Sequence, residues 1–253
     1  MAQKILVQKD GPITIITLNR PEVRNALDHE SADLLAAALQ EFNQDDAQRV
    51  GIIMGSEGSF CAGADLKEAA ENINYKAWAG HPEGPLHKPL SKPLIAAVSG
   101  AAVAGGLGVA LYCDIRIADE TAVFGVFCRR WGVPMSDGTP TRLPRLIGIG
   151  PAMDMMLTGK GVTAEEAKEL GLVTRLSKSA HLLDDAKKLA HQIAAFPPLA
   201  MLSDRHALLD QEGRPEAEAL QREMEFAQEA QFNEAQSGAD RFAKGEGRHG
   251  QFR

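Results

Sequence analysis

The feature that most constrains this chain is a pair of small-residue corners. Phe60-Cys61-Ala62-Gly63-Ala64-Asp65-Leu66 follows an apolar run from Val50 to Met54, and Ala101-Ala102-Val103-Ala104-Gly105-Gly106-Leu107-Gly108 follows another from Leu94 to Val98. Short, continuously apolar runs are what strands covered on both faces look like, and a helix-like segment follows each corner. Alanine and glycine leave the main chain uncovered, and the first N–H groups of a helix have no partner within it. Two such corners can aim N–H groups at one point, the arrangement that holds a developing oxyanion in acyl-transfer or enolate chemistry.

The remaining segments supply a frame for these corners. Lys4 to Gln8 and Ile13 to Leu18, joined by Asp10-Gly11-Pro12, read as a hairpin. Asp28 is placed to cap a helix whose Leu34, Leu35, Ala38, Leu39 and Phe42 share a face. Residues 68–92 lose periodicity, and Gly80-His81-Pro82-Glu83-Gly84-Pro85 predicts a loop or short helices over a site. A hydrophobic helix through Val109, Ala110 and Leu111 is expected next, followed by short strands at 113–118 and 123–124. Thr163-Ala164-Glu165-Glu166 is a capping box and Gly171 a stop signal. His181 to Ala195 is amphipathic, and Phe196-Pro197-Pro198 is the clearest compositional break. Beyond it, 199–209 and 215–236 predict helices, so a core over 1–196 and a helical extension over 197–253 are expected.

Composition narrows the partners. At 253 residues, 44% hydrophobic and 24% charged, the chain suits one soluble domain with an extension. A net charge of -7 argues against nucleic acid or an anionic membrane as a general partner. The three cysteines, Cys61, Cys113 and Cys128, are odd in number and lack metal-type spacing, as expected of free thiols in a reducing compartment. No stretch has signal-peptide form or membrane-spanning length, so a cytoplasmic protein without membrane insertion is expected. Two other glycine chemistries fail on spacing. Gly100, Gly105, Gly106 and Gly108 do not make the dinucleotide pattern, and no Lys-Ser/Thr follows them as a phosphate loop requires.

The corners, with Asn19-Arg20-Pro21-Glu22-Val23-Arg24-Asn25-Ala26-Leu27 before them and Thr163-Ala164-Glu165-Glu166-Ala167 and Gly171-Leu172-Val173 after them, resemble the enoyl-CoA hydratase/isomerase (crotonase) superfamily in order and spacing. The resemblance implies an α/β fold, a spiral of ββα units with C-terminal helices that build a homotrimer or homohexamer. It implies an acyl-CoA thioester as ligand, with coenzyme A part of the substrate and no separate cofactor or metal. Carried over by position, the oxyanion donors are the amides of Ala62 and Gly105. Arg24 and the segment Ala64, Asp65, Leu66 are implied contacts of the CoA moiety, with Lys244, Arg248 and His249 as candidates for its phosphates.

The departures from the family pattern are as informative. Hydratases of the family use two glutamates; here Gly108 and Cys128 stand at the implied positions. Asp137, in Pro134-Met135-Ser136-Asp137-Gly138-Thr139, is the replacement candidate, as lone acid/base or nucleophile, with capping of the following helix as its alternative role. Cys128 precedes Arg129 and Arg130, whose charges would lower its thiol pKa if they faced it, so a thioester hydrolase or acyl transferase is a second reading. Trp131 is a candidate wall of an acyl pocket. Asp65 and Glu68 open the helix after the first corner, where acidic residues favour the helix dipole, and Glu68 is also a candidate to point into the site. Isomerase or lyase chemistry on an enolate is the leading expectation, and a catalytically silent acyl-CoA-binding protein is the third.

Overall fold

The computed structural model describes residues 3–71, 77–79 and 81–247. By its internal contacts the chain divides into two compact units, Met1–His191 and Gln192–Arg253.

The first unit begins with a hairpin, β1 (Ile5–Asp10) and β2 (Ile13–Leu18), paired from Ile5↔Leu18 to Asp10↔Ile13. Helix α1 (His29–Gln44) follows, with the Asp28 carboxylate accepting the Ser31 N–H at 2.8 Å. Lys4 stands 2.6 Å and Arg20 3.3 Å from that carboxylate. Against its partial burial, the Lys4 and Ser31 hydrogen bonds hold the Asp28 carboxyl down at about 2. Of the predicted face of α1, Leu35, Ala38, Leu39 and Phe42 are buried, whereas Leu34 is exposed.

Three successive excursions then build the core. β3 (Val50–Gly55) leads to a bridge at Cys61 and helix α2 (Leu66–Glu71). β4 (Leu94–Val98) leads to β5 (Ala101–Val103) and α3 (Gly105–Tyr112). β6 (Ile115–Asp119) leads to β7 (Val123–Gly125), a 3-10 turn over Phe127–Trp131, α4 (Thr139–Ile147) and α5 (Ile149–Thr158). Each excursion adds a strand to the large sheet and ends in a helix; the second and third also add one to the small sheet, and the first touches it through the Cys61 bridge to Ala102. β8 (Gly161–Thr163), α6 (Ala164–Glu169), β9 (Arg175–Ser177) and α7 (Leu182–Ala194) complete the run. The large sheet has the order β1-β2-β3-β4-β6-β9, parallel after the first pair; the small one is β5-β7-β8. β3 and β4 read as unbroken apolar runs because they lie inside the large sheet, and β4 is buried along its whole length.

Two buried polar side chains hold this frame. Asn25, fully buried with φ +56°, donates to the carbonyls of Ser56 and Ser59 at 2.9 and 2.6 Å. Its oxygen accepts the Arg20 N–H at 2.8 Å. It thereby ties the segment before the first helix to the loop that opens the first corner. Arg116 on β6 is only 3% exposed and its guanidinium donates to the carbonyls of Leu172 and Cys113, both at 2.6 Å, and more weakly to that of Ala110. Its positive charge sits at the C-terminal end of α3, where the helix dipole favours it.

The second unit is helical: α8 (Pro198–Asp210), α9 (Glu216–Ala230), a π turn over Gln231–Ala235 and α10 (Gln236–Ala243). The Glu234 carboxylate accepts the N–H groups of Leu199 and Ala200 at 3.0 and 2.9 Å, filling the start of α8 with negative charge. Leu220, Met224, Phe232 and Phe242 are left largely exposed. Arg248 and His249 lie outside the described residues.

Asn25→Asp replaces the two donated hydrogen bonds by oxygen-to-oxygen contacts. The expected loss is about 2–4 kcal/mol of stability in urea unfolding at neutral pH. An unchanged midpoint would show that the side chain does not hold the corner loop.

Candidate active site

The two corners are joined through the main chain. The Cys61 N–H donates to the Ala101 carbonyl at 2.7 Å, and the Val103 N–H to the Cys61 carbonyl at 3.1 Å. The approach is close enough that a Cβ on Gly106 would lie 2.0 Å from the Cys61 oxygen, so only glycine fits there. The first corner is pinned on its other side by Leu27, which donates to Gly63 and accepts from Asp65, at 2.8 and 2.9 Å.

This pinning decides which amides are available. The Ala62 N–H donates to the Arg24 carbonyl at 3.0 Å, so it is already engaged and is not a free oxyanion donor. In extended chain the N–H groups two residues apart face the same way. Gly63, at φ +100°, breaks that alternation and leaves Ala64 facing elsewhere. The N–H groups of Ala64 and Gly105 have no acceptor among the described residues. They are neighbours: a Cβ on Gly105 would lie 3.5 Å from the Ala64 nitrogen. The expectation for Ala62 is therefore corrected to Ala64, and Gly105 keeps an open amide at the start of α3.

Both amides border a cavity of about 390 Å³, a size usual for small-molecule sites. Ala62, Ala64 and Leu66 line it from the first corner, and Ala104 and Gly105 from the second. Trp78 also lines it, beside Gly105, its Cζ2 3.4 Å from where a Gly105 Cβ would be. The Phe127–Trp131 turn contributes Phe127, Cys128 and Trp131, and the segment after it Met135, Ser136 and Asp137.

Asp137 is the one carboxylate among the described lining residues. It is 4% exposed, and burial pushes its carboxyl above the ordinary aspartate range, against the opposing pull of the Thr139 N–H it accepts at 2.9 Å. No ion pair balances it among the described residues; Arg142 donates instead to its backbone carbonyl, at 3.0 Å, and to that of Leu86, at 2.7 Å. The space Asp137 fills belongs to Gly108, where a Cβ would stand 2.5 Å from the Asp137 Cγ. A side chain at 108 and this placement of Asp137 exclude one another. Asp137 thus borders the cavity and also accepts the Thr139 N–H, although the N-cap position of α4 itself is Gly138.

Cys128 lines the cavity, but not as an activated thiol. Burial, and next the negative charge of Asp137, push its pKa up, and its Sγ lies 3.0 Å from Met135 Sδ. Arg129 and Arg130 turn to the carbonyls of Met156 and Gly159, at 3.2 and 3.0 Å. Arg129 still pulls the thiol pKa down, as expected, but less than burial and Asp137 raise it, so the net shift runs against activation. Cys61 and Cys113 are buried free thiols, Cys61 pushed up to about 12 by burial.

Two acidic candidates lie elsewhere. Asp65 bonds Arg20 at 2.9 Å, and Glu68 accepts the His29 N–H at 3.1 Å while its other contact is His29 Nδ1 at 3.0 Å. Neither lines the cavity. Trp131 is on the cavity and 73% exposed rather than core. Arg24 is exposed at the first corner, and Lys244 is exposed in the second unit. Among the described residues no group of three or more His, Cys, Asp or Glu is placed to hold a metal ion, and no helix is long and apolar enough to cross a membrane. Sequence reasoning missed Trp78, Phe127 and the Ala64 amide. Only the last had a local signal, the glycine before it.

The family model for enoyl-CoA hydratase/isomerase matches residues 8–252, and the chain belongs to that family. It is 37% identical over 222 residues to enoyl-CoA hydratase EchA19 of Mycobacterium tuberculosis, covering 85% of this chain and 84% of that one. It is 37% identical over 209 residues to (E)-benzylidenesuccinyl-CoA hydratase of Thauera aromatica, covering 80% and 81%. The crystal structure of enoyl-CoA hydratase EchA1 from Mycobacterium marinum superposes with a TM-score of 0.90 at 35% identity, covering 95% of this chain and 96% of that one. The mixed α/β fold with a helical C-terminal region is thus the fold of solved enoyl-CoA hydratases.

The residue before the open Gly105 amide is strained. Ala104 has φ 50° and ψ −127°, a conformation that glycine adopts far more readily. Ala104→Gly is expected to raise stability by about 1 kcal/mol in urea unfolding. A lowered midpoint would show that no strain is stored there.

Proposed function

We propose that the protein holds the thioester carbonyl of an acyl-CoA between the amides of Ala64 and Gly105 and moves a proton on the acyl chain with Asp137 as the single acid/base. The observation that carries this reading is the Gly108–Asp137 pair: a buried carboxylate, raised by desolvation, occupies the space a longer side chain at 108 would need. The ionised Asp137 takes a proton from a carbon next to the carbonyl or conjugated with it. The electron pair moves onto the carbonyl oxygen, where the two N–H groups stabilise it. Asp137 then returns the proton to a different carbon, which is isomerisation, or the enolate re-forms the carbonyl as a heteroatom group leaves the β-carbon with its bonding electrons and takes the proton from Asp137, which is a lyase step. Hydration with two glutamates fits poorly, because Gly108 and Cys128 stand where the family pattern puts them, although the relatives named above are called hydratases.

The extension supports self-association as a trimer or hexamer, since Leu220, Met224, Phe232 and Phe242 are exposed apolar side chains on its helices. Sedimentation of the full chain is expected to give a species larger than the 27.2 kDa monomer; a monomer at micromolar concentration would refute this.

Asp137→Asn is expected to keep acyl-CoA binding and lose about 10²–10⁴-fold in turnover. The acid limb of kcat/KM should lie above the ordinary carboxylate range, because the base must be ionised. Stability moves oppositely. A carboxyl whose folded pKa exceeds its unfolded value of 3.8 lowers stability as pH rises through the interval between the two, and the full penalty remains above it. Asp137→Asn removes that penalty, so its Tm should equal or exceed the parent's at pH 7. Intact turnover on a true substrate, or rapid hydration of crotonyl-CoA, would overturn the single-carboxylate mechanism.

A further inference from the structure

The chain is poor in aromatic residues, 5% in all, and has two tryptophans, yet Trp78, Trp131 and Phe127 all line the one cavity that both open amides border. Trp78 is 7% exposed, and its ring edge lies 3.4 Å from where a Gly105 Cβ would be. The Trp78 indole thus lies beside Gly105 on the same cavity, within reach of a group attached to a carbonyl held there. Trp131 is 73% exposed although it borders the same cavity, an unusual position for so large an apolar ring unless a ligand covers it. Met135, whose thioether is polarisable and packs well against ring edges, lies on the same wall. Flexible aliphatic chains need apolar area of any shape, whereas planar rings gain from the offset and edge-to-face geometry that other aromatic rings provide.

We infer that the acyl group this cavity selects is aromatic, a planar ring close to the thioester carbonyl and packed against Trp78, with Trp131 covering it at the mouth. The inference rests on the acyl-thioester reading and adds the substrate class to it. Selection acts through ring geometry, so the comparison that isolates it is between thioesters of equal bulk with and without a π system.

The test uses the full-length protein and isothermal calorimetry with benzoyl-CoA and cyclohexanecarbonyl-CoA, and with phenylacetyl-CoA and cyclohexylacetyl-CoA, alongside butyryl-CoA. The aromatic member of each pair is expected to bind about tenfold tighter than its saturated counterpart. In Trp78→Leu that ratio should fall toward one. If Trp78→Leu does not fold, as judged by its thermal transition, Trp131→Leu at the exposed position should still narrow the ratio. Equal affinities within the pairs in the parent protein, or a ratio that survives both substitutions, would overturn the inference. Failure of every thioester, butyryl-CoA included, to bind would instead overturn the acyl-thioester reading beneath it.

Discussion

The two hydrogen bonds that join Cys61 to Ala101 and Val103 are the constraint on which the site depends. They fuse the turns after β3 and β4 into one small-sheet edge, so that one residue from each turn with an unengaged N–H, Ala64 and Gly105, lines the same cavity. Everything nearby serves that contact. Gly106 keeps the Cys61 carbonyl clear, Leu27 holds the far side of the first corner, and Asn25 fixes the loop that enters it. A main-chain site of this kind is insensitive to most side-chain changes and very sensitive to the few that alter backbone spacing.

Much of this was legible before the structure, because it is local. The hairpin, the Asp28 cap, the Thr163–Glu166 capping box and the two apolar runs feeding the corners follow from residue type and spacing alone, and all are present. What could not be read depends on residues distant in sequence. Ala62 and Ala64 are equivalent by composition, and only the Arg24 carbonyl distinguishes them. Asp65 and Glu68 do stand at the start of α2, where Asp65 accepts the Lys67 N–H, but their further partners Arg20 and His29, which keep Glu68 out of the cavity lining, are distant in sequence. Arg129 and Arg130 adjoin Cys128 in sequence yet turn to carbonyls near the end of α5. Trp78 follows an unpatterned stretch, and its place beside Gly105 is purely tertiary.

The parts proposed to hold the carbonyl and to move the proton have different origins. The amides belong to turns anchored in the small sheet, while Asp137 comes from the segment between the Phe127–Trp131 turn and α4. Its access depends on one missing side chain, that of Gly108 on the wall it faces. In the proposed reaction, such an arrangement would let the acid/base change while the two corners stay the same, so that one fold can host different sites.

Arg116 has a consequence for how the first unit coheres. Its guanidinium is almost wholly out of water, and the short hydrogen bonds that compensate it come from Cys113 at the end of α3 and from Leu172, in the loop between α6 and β9. Before the later block docks, that cation lacks one of its two shortest partners, and burying it is unfavourable. Residues 105–119 and 164–177 are therefore energetically interdependent, and neither block reaches full stability alone. The helix whose first amide opens onto the cavity is thus secured at its opposite end by an arginine on β6 that also holds the loop leading into β9.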